Sequence, residues 1–185
     1  MSSTATELPG LVPGTWTIDP THTEVGFSVR HLMVSKVRGR FSKVDGEINI
    51  AENLQESSAR ATIEMASVDT RAEDRDNHLR SPDFFDVENH PTMTYASTGI
   101  RRNGEDYEVD GELTIRGVTR PVTLTVEWGG VHPDPWGGQR LGLSATGRIN
   151  RQDFGMDFNI PIEGGGVVVG DRIDLTVDAE AVLQR

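Results

Sequence analysis

Apolar and polar residues alternate one for one along most of this chain, and a period of two fixes β-strands with a single apolar face. Val25, Phe27, Val29 and His31 alternate with Gly26, Ser28, Arg30 and Leu32. Phe41 to Ile50 forms a second extended stretch, with Asp45-Gly46 marking a turn or bulge. Ser58 to Met65 repeats the pattern through Ala59, Ala61, Ile63 and Met65. Thr92 to Arg102 and Tyr107 to Arg116 read as a hairpin around Asn103-Gly104. Tyr107, Val109, Leu113 and Ile115 share one of its faces, and Gly111 is the expected bulge. A tight turn at Gly117 leads to Val122, Leu124, Val126 and Trp128, and Gly129 to Gly138 reads as a Pro/Gly-rich loop carrying Trp136. Leu141, Leu143, Ala145, Gly147 and Ile149 alternate again, as do Ile173, Leu175, Val177 and Ala179, with a loop at Gly164-Gly165-Gly166 between them.

The alternation breaks once. Arg71 to Leu79 holds no β-branched residue and stops before Ser81-Pro82, which predicts a helix of about two turns with Thr70 or Asp69 as N-cap. Glu73, Asp74 and Asp76 then form its charged side, near the positive end of the helix dipole. Phe84 and Phe85 follow, and Pro91 closes the insert.

At least eight strands with one helical insert lead to an all-β fold, an extended antiparallel barrel with a short helix around residues 71–80. Closure removes the exposed edges that a large antiparallel sheet would otherwise present. The strands are long, and small residues (Gly26, Ser28, Ala59, Ala61, Ala145, Gly147) recur on strand faces that a filled sandwich would fill with bulk. A barrel that encloses a ligand has room for them. Residues 1–15 read as a flexible tail, broken by Pro9, Gly10, Pro13 and Gly14, and residues 16–185 as a single domain.

Composition narrows the chemistry. Cysteine is absent, which removes disulfides, thiol nucleophiles and thiolate metal sites. The 29 acidic residues against 18 Lys plus Arg give a net charge of -11, the wrong sign for nucleic acid or an anionic membrane surface. Mean hydropathy is -0.42, and no apolar run approaches the roughly 18 residues that span a bilayer, so no stable membrane insertion is expected. Residues 1–14 have neither a basic start nor an apolar run, which sets the expected location in the cytoplasm.

No phosphate loop, dinucleotide fingerprint, nucleophile elbow or His-Glu-x-x-His motif occurs. His22 and His31 have opposite parity on an extended chain, so no metal site is expected from them. The paired carboxylates Glu73 and Asp74, or Asp106 and Glu108, read as solvated faces. The dense polar group of Asp69, Arg71, Arg75, Asp76 and His78 has two readings: helix capping with surface ion pairs, or a flap over a barrel mouth with Phe84 and Phe85.

Five segments occur in order: WTIDPTHTEVGFSVRH (Trp16–His31), VRGRFSKVDGEI (Val37–Ile48), SVDTRAEDRDNHLRSPDFFDVENHPTMTY (Ser67–Tyr95), YEVDGELTIRGVTRPVTL (Tyr107–Leu124) and INRQDFG (Ile149–Gly155). Together they resemble the YceI-like family of polyisoprenoid-binding, lipocalin-like proteins, from about Trp16 to the C-terminus. The resemblance implies a lipocalin-like barrel whose pore holds a long isoprenoid such as a polyprenyl phenol or quinone, a homodimer, and no well-defined enzymatic activity. Many members of the family are exported to the periplasm.

Burial physics makes such binding sufficient without a cofactor, since each five-carbon unit contributes about 3 kcal/mol before ordering costs, at about 0.8 kcal/mol per methylene. The expected lining is Val25, Phe27, Val29, Phe41, Ile63, Met65, Met93, Tyr95, Leu113, Ile115 and Leu143, with Phe84 and Phe85 at the mouth and His31 and Arg30 as polar contacts. Two alternatives stand beside it: an enzyme acting on a lipid in the same cavity through His31 and an acid, and a ligand-free structural protein whose barrel its own side chains fill.

Overall fold

The structure, a computed structural model, describes residues 8–32, 34–160 and 169–184; the Gly164-Gly165-Gly166 loop lies outside them. Its strands are β1 (Gly14–Ile18), β2 (Glu24–His31), β3 (Ser35–Phe41), β4 (Val44–Ile50), β5 (Ser58–Glu64), β6 (Val68–Asp69), β7 (Thr92–Asn103), β8 (Asp106–Ile115), β9 (Val118–Pro133), β10 (Gln139–Asn150) and β11 (Val169–Leu183), with helix α1 (Glu73–Arg80) between β6 and β7.

Three pairs of short strands are long strands with a break. A 3₁₀ turn at Pro20–His22 separates β1 from β2, Ser42-Lys43 separates β3 from β4, and a 3₁₀ turn at Met65–Ser67 separates β5 from β6. Taken as single strands they leave eight, each antiparallel to the next, and β11 closes the ring on β1 (Trp16 opposite Leu183) and β2 (Val25 opposite Val177). The fold is the closed antiparallel barrel that the alternation predicts.

Register sorts the side chains as the period of two demands. Ala59, Ala61 and Ile63 line the lumen, as do Leu113, Val122, Leu143 and Val177. Outside, ion pairs join neighbouring strands: Arg60 to Glu47, Arg101 to both Glu108 and Asp110, and Arg148 to Asp174. These charged residues of the strands therefore lie on the outer wall. Of the small residues, Ala59, Ala61 and Ala145 border the lumen and Gly147 abuts Leu124 and Val122. Gly26 abuts Thr176 and Ser28 pairs with Asp174, which puts both on the outer face and corrects their expected place.

Other departures come from glycines read as turns. Asp45-Gly46 is not a turn: both residues lie within β4, opposite Thr62 and Ala61. Gly46 serves close approach, since a Cβ there would meet the Arg60 carbonyl oxygen at 2.5 Å. Gly111 is not bulged either. The irregularity lies across from it on β7, between Ser97 and Gly99. The chain does not leave the sheet at Gly129; β9 runs on to Pro133, with a shift in register opposite Gly142 and Leu143. Trp136 stands in the turn beyond, 81% exposed.

Helix α1 begins two residues later than predicted, and neither Thr70 nor Asp69 caps it; Ala72 holds the N-cap position with no side-chain bond. The capping direction is reversed. Asp76, inside the helix, accepts from the backbone N–H of Thr70 at 2.9 Å and from its hydroxyl. Asp76 is consequently buried, not part of a solvated acidic side.

The barrel ends differ. At the end bearing the β4–β5 and β7–β8 turns, Trp16, Leu54, Leu141, Ala181, Leu11 and Tyr107 pack into a floor. At the other end sit α1, Phe84 and Phe85, and the segment after β10, whose Phe154 and Met156 are buried in the same cluster.

Candidate functional site: the barrel lumen and its mouth

Between floor and mouth, the described residues wall an inner cavity and a mouth cavity. The inner one, about 180 Å³, is walled by Val25, Val44, Ile48, Ile63, Tyr95, Leu113, Leu143 and Val177, with Trp128 towards the floor. The mouth cavity, about 430 Å³, is walled by Phe27, Val29, Phe41, Met65, Phe85, Ile115, Ile149, Phe158 and Ile173.

The residues expected to line a pore divide between the two. Val25, Ile63, Tyr95, Leu113 and Leu143 border the inner cavity. Phe27, Val29, His31, Phe41, Met65, Phe84, Phe85 and Ile115 border the mouth cavity, as does Arg30. Met93 borders both. The strands bring Val25, Phe27, Val29, His31, Phe41, Ile63, Met93, Tyr95, Leu113, Ile115 and Leu143 together by their inward parity. Arg30 has the opposite parity, and Met65, Phe84 and Phe85 come from the segments between strands.

Aromatic rings shape the mouth. Phe27 and Phe41 lie 5.6 Å apart and Phe41 and Phe85 5.9 Å, both tilted. Phe158 meets His78 edge-on at 4.8 Å and Phe84 at 5.5 Å, a favourable edge-to-face arrangement. Helix α1 reaches over this cavity with Asp74, Arg75 and His78. Of the two readings of this polar cluster, the structure contains elements of both. Arg75 donates to the Thr70 hydroxyl at 2.7 Å and carbonyl at 2.6 Å, and His78 bonds Asp83 at 2.8 Å. The helix that carries these scaffold bonds also roofs the mouth.

The YceI-like domain family matches residues 16–181. The chain belongs to the YceI-like family. A UPF0312 protein of Staphylococcus epidermidis is 42% identical over 167 residues, 88% of this chain and 94% of its own. A YceI protein of Campylobacter jejuni, solved as a crystal structure, is 32% identical with a TM-score of 0.70, covering 84% of this chain and 90% of its own. A polyisoprenoid-binding domain from Saccharophagus degradans, implicated in plant cell wall breakdown, shares the fold at 16% identity, with a TM-score of 0.67 over 91% of this chain and 98% of its own.

Two features of this YceI-like barrel were not singled out in the sequence. Arg151, 2% exposed, donates to the carbonyls of Gly170, Met156, Phe158 and Val169 and lies 3.3 Å from Asp171. Burial lowers its guanidinium below the usual arginine range. Asn159 adds a second tie, accepting from the N–H of Val169 and donating to its carbonyl. Nothing in INRQDFG separates Arg151 from an exposed arginine. The second feature is a group of possible metal ligands, Asp19, His22 and Glu180. The Arg140 guanidinium spans it, donating to Asp19 at 2.6 Å and to Glu180 at 3.1 Å. A cation is therefore already built into this acidic group. Asp19 is held well below the usual carboxylate range, chiefly by Arg140 and then by Thr21 and His22.

Proposed function

We propose that this chain binds a long-chain hydrophobic isoprenoid, a polyprenyl quinone or phenol, in the barrel lumen, and that it sequesters or carries that lipid in water. The observation that supports this most is the stacking of two apolar-walled cavities along one closed barrel, floored at one end and rimmed by polar side chains at the other. A linear apolar chain matches that shape. Burying a few isoprene units suffices for micromolar binding, about 8 kcal/mol. The head group then sits at the rim beside Arg30 and His31.

Membership in the YceI-like family and the fold shared with a polyisoprenoid-binding domain support the same reading. We read the chain as a binding protein rather than an enzyme. On the strands that wall the inner cavity, the charged residues Glu47 and Arg60 are bonded to each other on the outer face, and the Arg75 and His78 groups of the rim are bonded to the scaffold. Among the described residues the His31 side chain has no carboxylate partner, which an acid–base pair would need. A homodimer belongs to the same proposal, and sedimentation equilibrium measures it. No described helix is long and apolar enough to cross a membrane.

Organic extraction of natively purified protein followed by mass spectrometry tests the ligand assignment. An isoprenoid at stoichiometric amount is expected. Protein that is repeatedly empty and also takes up no polyprenyl quinone would overturn it.

A further inference from the structure

Among the described residues, Met93 and Leu175 are the two that border both cavities. They stand on opposite walls. With the broken strands counted once, β7 is the fourth strand of the ring and β11 the eighth, half a circumference apart in a barrel of eight. Met93 is held at its level by Ile63, its partner across the ladder, and is 6% exposed. Leu175 lies between Phe27 on β2 and Gly147 on β10. Gly147 adds no side chain of its own beside Leu175, and the Leu124 side chain from β9 reaches over that glycine instead.

We propose that Met93 and Leu175 form a waist that sets how long an apolar chain this barrel holds. The proposal rests on the lipid-binding reading above and adds a length rule to it. A short chain fills the mouth cavity and ends at the waist. A longer chain reaches the inner cavity only when one of these two side chains moves aside. Met93 is the suited one: it is unbranched, with a flexible thioether that fits irregular space, whereas Leu175 is branched and stiffer. Methionine at this point makes the partition yielding rather than fixed. Affinity then rises steeply with each isoprene unit until the chain meets the waist, rises little over the next unit, and climbs again once the tail lies against the apolar wall beyond.

The test is a titration of the purified full chain with a series of ubiquinones of increasing prenyl number, and the readout is the ratio of long-chain to short-chain affinity. Wild-type protein is expected to show a break in the dependence on length. Met93→Ala removes the partition, and the ratio is expected to rise about tenfold, roughly the gain from two methylenes newly in contact with the wall. Met93→Phe is expected to lower the ratio by a similar factor, because a stiff ring closes the passage. Leu175→Ala widens the waist from the other wall and is expected to act in the direction of Met93→Ala, so the proposal stays testable if a Met93 variant fails to fold. A wild-type protein that binds the series with no break, or a ratio unchanged in all variants, would overturn the waist and leave lipid binding standing. A wild-type protein that binds no member of the series would overturn both.

Discussion

The ring of Tyr95 on β7 lies directly over Gly111 on β8: a Cβ built at Gly111 would stand 2.3 Å from Cζ of Tyr95. The Tyr95 hydroxyl is 3.2 Å from the Val109 carbonyl and 3.0 Å from that of Val122, so one side chain ties three neighbouring strands from inside the barrel. Burial, with a contribution from Asp110, raises the phenol well above its ordinary range and keeps it a donor. Gly111→Ala is expected to destabilise the fold by about 1–3 kcal/mol through overpacking. Tyr95→Phe should cost about 1 kcal/mol. In the double variant Gly111→Ala/Tyr95→Leu the costs should fall short of additive, since removing the ring relieves the clash. Urea denaturation of the wild type, Gly111→Ala, Tyr95→Leu and the double variant measures this, and strict additivity would show that the two residues are uncoupled.

Arg151 is the second internal tie. Its four backbone acceptors lie on both sides of β10's C-terminal connection, from Met156 and Phe158 to Val169 and Gly170. Arg151→Met is expected to cost about 3–5 kcal/mol, because buried carbonyls lose a charged donor. Arg151→Lys should restore little, as a single ammonium with three donors cannot span the same set. Hydrogen exchange at the Val169 amide should accelerate in both variants. A lysine variant as stable and as protected as wild type would show that charge alone suffices.

The barrel was legible because alternation is a local property: Val25 to His31 and Leu141 to Ile149 each show one apolar face, residue by residue, while which face turns inward is decided only when the sheet closes. The glycines were not legible. A glycine required for close approach, such as Gly46 against the Arg60 carbonyl or Gly111 beneath Tyr95, has the same one-letter signature as one required for a turn. The helix start was misplaced for a related reason. Thr70 and Asp69 are good caps by type, but Asp76 takes both Thr70 donors from within the helix, a choice that tertiary packing makes. Arg151 was hidden because its acceptors are carbonyls, which every residue offers. The waist depends on which strands face each other across the lumen, a consequence of closure that no single strand displays.

Asp19 makes acid stability sensitive to one contact. Its carboxylate accepts from Arg140 at 2.6 Å, from the Thr21 N–H at 3.0 Å and from the Thr21 hydroxyl at 2.7 Å. The folded state holds this carboxyl below its unfolded value of about 3.9, so the unfolded chain binds the proton first. The stabilisation is complete above that value and is lost as pH falls through the acid range towards the folded value. Wild-type protein should therefore lose stability more steeply than Asp19→Asn between about pH 4 and pH 2, and the two curves should converge at the acid end. Arg140→Gln should flatten the slope in the same way. Urea midpoints across this range check it, and parallel curves would remove Asp19 from the acid response.

Leu113 and Leu143 separate packing from lumen contact. Leu113 is 5% exposed and belongs to the packed cluster of Ile63, Met93 and Ile115, while Leu143 is half-buried, opposite Trp128, with its side chain on the inner cavity. A carboxylate at Leu113 has packed apolar groups on every side except the cavity edge, so Leu113→Asp should cost roughly 3–5 kcal/mol and leave little folded protein at moderate temperature. Leu143→Asp projects the carboxylate into the inner cavity, whose volume of about 180 Å³ leaves room for water beside it, so the barrel should remain folded. The same charge then lies where an isoprenoid tail would rest, and affinity for a long polyprenyl quinone should fall at least about tenfold, the loss of roughly two methylene contacts. Circular dichroism melts and quinone titration read the two effects separately. A folded Leu143→Asp protein with wild-type affinity would place the bound chain entirely on the mouth side of Met93.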